Sequence, residues 1–172
     1  GRTLQESNVD YLAVAVADEG AELRKDGITT GIIVMNPEPS SYTTLFDNKL
    51  EPEVYSFGML KSLTHAACHE GITDYPIHIK IDTGMHRLGF LPEEIPALID
   101  MLKRQNALTP RSVFSHLAGS DTVLLDDFTK KQIECFDKAA TELQAAFSHK
   151  ILKHICNSAG TERFVNAHYD MV

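Results

Sequence analysis

Short β-favouring apolar runs alternate with stretches of helical periodicity along the whole chain, and this alternation restricts the fold more than any other feature. Residues 11–17 (YLAVAVA), 31–35 (GIIVM), 53–56 (EVYS), 75–81 (YPIHIKI), 112–115 (SVFS) and 151–156 (ILKHIC) read as strands. Helical patterns fall at 18–26, 59–70, 91–104 and 126–147, with Gly27 and Gly71 placed to end the first two. In the last of these, Phe128, Ile133, Phe136, Ala140 and Leu143 share roughly one face. Pro76 is admissible only near the start of its strand. Pro92 suits an early helical position, and Pro96 marks an irregularity in the same segment. Met171 and Val172 read as the start of a seventh strand.

Strands alternating with helices imply βα units and a parallel sheet. The apolar runs read as continuous, as expected of strands buried on both faces. A closed (β/α)8 barrel takes about 250 residues. Six units in 172 residues therefore make one domain, 1–172, that is either an arc of such a barrel or an open doubly wound sheet. The second fold would normally carry a glycine-rich phosphate loop after its first strand. Asp18-Glu19-Gly20 is no such loop.

Composition narrows the function. Hydrophobic residues make up 43% and charged residues 23%, the proportions of an ordinary globular protein. The net charge is −8 and the basic residues are scattered, which argues against nucleic acid as a partner. No apolar run approaches the roughly 20 residues of a membrane helix, and no secretory signal opens the chain. The first residues, Gly1-Arg2-Thr3, include no methionine. Cys68, Cys135 and Cys156 form no CxxC and no zinc spacing, which fits reduced thiols in a cytosolic compartment. His65 and His69 stand at i and i+4 without an HExxH pattern, so a solvated helix face explains them better than a metal.

Polar clusters directly follow three strands: Asp82-Thr83-Gly84-Met85-His86-Arg87, then His116 to Asp121, then Asn157-Ser158-Ala159-Gly160. The C-terminal ends of parallel strands share one rim, where active sites are built. An arginine, a histidine and an Asn-Ser pair meeting there would suit an anion and a ring. Taken singly, each has a plainer reading: a surface ion pair for Arg87, a hydrogen-bonded histidine for His116, a helix N-cap for Asn157-Ser158. Lys80 stands inside an apolar strand on the same face as Asp82, and a buried lysine costs free energy unless paired or modified. Asp82 is one candidate partner, and a modified Lys80 is the alternative.

These strings resemble a family. Lys80 to Phe90 (KIDTGMHRLGF) is similar to the KxDTGMxRxGF segment of alanine racemases, Ser115 to Asp121 to their SHxAxxD segment, and His154 to Ala159 to their HxxNSA segment. Ala13-Val14-Ala15 with Glu19 to Arg24 resembles the family's second strand and helix, and Asp170 to Val172 the run just before its RxGxxxYG segment. The resemblance covers nearly the whole chain in order. It departs at Leu117, where many members have Phe, and at Val165, where Pro is common; His86 fills a variable slot.

The resemblance implies a segment of a pyridoxal-phosphate barrel, without its first and eighth strands, and an isomerase that interconverts L- and D-alanine for peptidoglycan synthesis as a cytoplasmic homodimer. Arg87 would bind the phenolic oxygen of the cofactor and help place the substrate carboxylate. His116 would pack against the pyridine ring, and Asn157 and Ser158 would lie at the phosphate. His154 would stand behind them, and Lys80 matches a position carboxylated in many members, where the added anion would orient Arg87. No stretch matches the lysine-bearing first strand or the tyrosine-bearing C-terminal domain, so no catalytic residue is expected within 1–172, and the piece alone is expected to be inactive. Left open are another amino-acid racemase on the same barrel, a non-catalytic pyridoxal-phosphate barrel, and fusion to a further cell-wall enzyme. A sheet lacking its first and eighth strands would have two bare edges and a tendency to self-associate.

Overall fold

The computed structural model describes residues 1–172. Six parallel strands lie in chain order, β1 (Tyr11–Val14), β2 (Gly31–Val34), β3 (Glu51–Val54), β4 (Tyr75–Lys80), β5 (Leu108–Phe114) and β6 (Leu152–His154). Each pairs only with its neighbours in sequence, so the sheet is an open arc of a (β/α)8 barrel with β1 and β6 as edges. The arc curls: Arg111 Nε of β5 donates to the Tyr11 hydroxyl of β1 at 3.1 Å. Arg111 is free to reach because β5 carries a one-residue bulge there, between the pairs Ile77–Pro110 and His78–Ser112.

Helices cover the convex face. They are α1 (Arg2–Glu6), α2 (Ala17–Lys25), α3 (Tyr42–Asp47), α4 (Phe57–His69), α5 (Ile95–Lys103), α6 (Asp126–Ala145) and α7 (Ser158–Arg163). Ser56 caps α4 by accepting from the Met59 N–H at 3.3 Å, and the helix then buries Met59, Leu60, Leu63 and Ala67 along one stripe. Pro96 sits in the first turn of α5, where a missing N–H costs nothing, and Ile95, Leu98 and Leu102 face inward. In α6, Phe136, Ala140 and Leu143 are buried, whereas Phe128 stands exposed at the rim end. Each fully buried Leu or Ile contributes about 1.5–3 kcal/mol.

The strands are two-faced. Ile32, Val34, Val54, Ile77, Ile79, Ile81, Val113 and Ile155 point into the apolar core beneath the helices. The intervening residues include Glu53, His78, Lys80 and Ser112, all buried and polar. The expectation of uniformly apolar strands therefore fails, most clearly in β4, where YPIHIK alternates strictly. An open arc leaves its concave side to polar groups that satisfy one another.

Other boundaries also shift. The third strand runs Glu51–Val54 rather than 53–56, because Pro52 is tolerated where it pairs with Val34 on a short ladder. The first strand ends at Val14, since Glu19 Oε2 accepts from the Ala15 and Val16 N–H groups and starts α2 at Ala17. The fifth begins four residues early, at Leu108. Tyr42–Asp47 is a helix where the Pro- and Ser-rich sequence suggested none. Met171 and Val172 form no strand; the Asp170 and Met171 N–H groups merely share the Lys153 carbonyl. No helix is long and apolar enough to cross a membrane.

Candidate active site at the strand C-termini

The register puts Lys80 of β4 beside Phe114 of β5, and Phe114 beside His154 of β6. The three following loops therefore leave the sheet side by side.

The loop after β4 is closed on itself. Asp82 N–H donates to the Phe90 carbonyl and Phe90 N–H to the Lys80 carbonyl, both at 2.9 Å. Asp82 Oδ1 accepts from the N–H groups of Gly84 at 2.9 Å and His86 at 3.0 Å. Burial pushes the Asp82 carboxyl upward, but these backbone donors and the His86 charge outweigh it, so the group is held below the usual carboxylate range. Gly89 makes the return possible. Its φ is +135°, and a Cβ there would fall 2.4 Å from the Asp82 nitrogen. Arg87 stands exposed on this ring.

The second loop is pinned by Gln132 of α6, which is wholly buried. Its amide oxygen accepts from Ala118 N–H at 3.0 Å, and its nitrogen donates to the His116 carbonyl at 3.1 Å and to Thr83 Oγ1 at 3.3 Å. One side chain thus ties the loops bearing Arg87 and His116. The Ser115 hydroxyl adds a bond to the Ile81 carbonyl at 2.7 Å. His116 is half-buried, and burial, Arg87 and Lys80 in that order hold its imidazole below the ordinary value, hence neutral at neutral pH.

In the third loop, Asn157 caps α7. Its Oδ1 accepts from Gly160 N–H at 2.8 Å and from the Ser120 hydroxyl at 2.7 Å, while its Nδ2 donates to the Leu117 carbonyl at 3.2 Å. Asn157 is therefore the fastener between the second and third loops. Ser158, at the first position of α7, is exposed. Arg163 continues the tie, donating to the Ser120 carbonyl and, at 2.6 Å, to Asp126 Oδ1.

Beneath the rim the concave face holds two polar rows. Lys80 Nζ lies 3.0 Å from Glu53 Oε1. The contact is a buried ion pair, with both side chains almost wholly removed from solvent. Asp82, the partner suggested by strand alternation, turns instead to its own loop. Lys80 Nζ also lies 5.4 Å from the Phe114 ring centre. One layer down, Glu51 Oε2 meets His78 Nε2 at 2.9 Å, His78 Nδ1 meets Ser112 Oγ at 2.6 Å, and Ser112 Oγ meets His154 Nε2 at 3.3 Å. A consistent polarity has His154 donating to Ser112, Ser112 to His78, and His78 to Glu51. His154 stacks on Phe114, 4.8 Å between centres and 4° between planes. Burial, and then His78, pull its pKa down to about 3.

Arg87, His116, Asn157 and Ser158 thus stand on three adjacent loops of one rim, with Lys80 and His154 below. No motif in the sequence marks Glu51, Glu53, His78, Ser112 or Gln132. The strict alternation of β4 is the signal that would have found His78 beside Lys80. For Gln132 it is a polar residue four before Phe136, on the buried stripe of α6. His65 and His69 are exposed on α4.

The rim suits a phosphorylated aromatic ring. It offers a neutral half-buried imidazole, an exposed guanidinium and a serine hydroxyl on the first residue of a helix. Comparison with known proteins agrees with the motifs. The family model described as "Alanine racemase, N-terminal domain" matches residues 1–172. An alanine racemase of Symbiobacterium thermophilum is 33% identical over 168 residues, which are 97% of this chain and 44% of that protein. A serine/alanine racemase of Enterococcus gallinarum is 32% identical over 98% of this chain and 24% of its own length. The structure of the Clostridium difficile 630 alanine racemase in complex with cycloserine superposes with a TM-score of 0.91 at 30% identity, covering 99% of this chain and 47% of that one. The chain spans less than half the length of the alanine racemases it matches.

Proposed function

Because the chain belongs to the alanine racemase family through that N-terminal domain, we propose that it is the cofactor-holding arc of a pyridoxal-phosphate enzyme that interconverts L- and D-alanine. The convergence of the loops bearing Arg87, His116 and Ser158 on one rim supports this most directly.

Arg87 would bind the phenolic oxygen of the cofactor and help place the substrate carboxylate, a task for a planar fork that stays charged. His116, neutral, would pack against the pyridine ring without adding charge to it. Ser158 would donate to the phosphate, where the free N–H groups of the helix start favour an anion. Asn157 would lie at the same phosphate while its side chain holds that helix start in place. When bound, pyridoxal phosphate supplies an electron sink for the carbanion at the substrate α-carbon. Racemisation also needs a proton taken from one face and returned on the other. The family resemblance assigns those transfers to a lysine and a tyrosine with no counterpart among these 172 residues. The chain alone is therefore expected not to racemise. The same resemblance places the enzyme in the cytoplasm as a homodimer serving peptidoglycan synthesis. Likeness to a serine/alanine racemase gives serine as the second substrate to try.

The test is a racemisation assay on the whole protein that carries this chain, with L-alanine and L-serine in separate reactions. We expect alanine turnover that depends on pyridoxal phosphate. Arg87→Lys should lower kcat/KM at least tenfold, about 1.4 kcal/mol of transition-state stabilisation. A whole protein that binds pyridoxal phosphate yet racemises neither amino acid would overturn the reading.

A further inference from the structure

Glu53 has no role in the reading above, yet it is the most deeply placed charge on the concave face. It is wholly buried, and its only ionic partner is Lys80, whose Nζ lies 3.0 Å from Oε1. We propose that Glu53 is the resident anion of this site: it holds Lys80 as an unmodified ammonium and supplies the negative charge for Arg87, so the carboxylated form of Lys80 implied by the family resemblance does not form in this protein.

Carboxylation requires the neutral amine: its lone pair attacks the carbon of carbon dioxide, the C–N bond forms, one C=O electron pair moves to oxygen, and a proton leaves nitrogen. The product is an anionic carbamate. A carboxylate 3.0 Å from Nζ is paired with the ammonium, and that pair must be given up before the nitrogen can react. The carbamate would then face the buried Glu53 carboxylate, two like charges in one desolvated space. The Phe114 ring face, 5.4 Å from Nζ, favours a cation and disfavours an anion at the same place. Burial pushes the Glu53 carboxyl upward, and Lys80 and then Arg87 pull it back, so both cations lie within its field. Glu53 thereby does for Arg87 what an added carbamate would do.

The charge state of Lys80 stands independently of any cofactor; the effect on Arg87 rests on the function proposed above. Both are tested on the whole protein. It is equilibrated with 13C-bicarbonate, and the carbamate carbon is sought by NMR. We expect none in the wild type, and an ammonium signal from the labelled Lys80 ζ-nitrogen at neutral pH. Glu53→Gln should take up carbon dioxide, and Glu53→Gln/Lys80→Arg should not. A carbamate or a neutral amine at Lys80 in the wild type overturns the assignment, and so does a folded Glu53→Gln protein without a carbamate. If that variant does not fold, the wild-type spectra alone decide. For Arg87, pyridoxal-phosphate titration of Glu53→Gln should show affinity lost in bicarbonate-free buffer and recovered with bicarbonate, a rescue that a merely structural role would not give. Unchanged affinity sinks that half. A wild type with ammonium Lys80 that binds no pyridoxal phosphate overturns the functional reading and leaves the counter-ion standing.

Discussion

At the scale of single residues, the backbone geometry of the first rim loop and the buried histidines carry the sharpest expectations. Gly89→Ala places a Cβ against the Asp82 nitrogen in a conformation L-residues avoid. The backbone strain alone costs about 1–3 kcal/mol, and relieving the clash must open the loop. Urea denaturation should show a lowered midpoint, with pyridoxal-phosphate affinity falling further than stability explains. His154 gives a pH signature. Its folded-state pKa, about 3, lies below the ordinary 6.5, so between those values the unfolded chain binds a proton that the folded chain refuses. Stability is therefore lost as pH falls from about 6.5 toward 3. His154→Gln, which keeps a donor toward Ser112, should flatten that limb in a pH series of denaturation midpoints. The cluster residues Arg87, His116, Asn157 and Ser158 were legible because short polar strings following apolar runs mark strand ends. Glu53 was not: its sequence neighbours Pro52 and Val54 suggest nothing, and its partner Lys80 is 27 positions away in the chain, brought alongside only by the β3–β4 register.

At the scale of elements, strands and long helices were visible because burial imposes their periods on the sequence. The short pieces were not. Tyr42–Asp47 is too brief to show a stripe, and it exists because Tyr42 and Leu45 bury against the core. Likewise β3 begins two residues early only because a neighbouring ladder accepts Pro52. The start of α7 is the element on which the third loop depends. Asn157→Ala should cost about 0.5–2 kcal/mol as a lost cap. It also frees Ser120 and the Leu117 carbonyl, so hydrogen exchange should rise in residues 117–120 as well as at the start of α7. Asn157→Asp, which retains the accepting oxygen, should restore protection at Gly160 but not at the Leu117 side.

At the scale of the whole molecule, β1 and β6 each leave one row of backbone groups without a strand partner. Such edges recruit other strands. Sedimentation of the purified 172-residue chain should therefore show concentration-dependent association, and a monodisperse monomer at high concentration would count against it. The fold class was legible because a parallel βα arrangement spaces apolar runs this way, and the two bare edges follow from the first and eighth strands that the family resemblance leaves unmatched. One last consequence belongs to the ring that bears Arg87. Because Phe90 returns to hydrogen-bond both flanks of the Lys80–Asp82 segment, the path between is fixed in length. Over evolutionary time this stretch can change its letters but cannot gain or lose one without unzipping both bonds, so relatives should differ here by replacement and never by insertion or deletion.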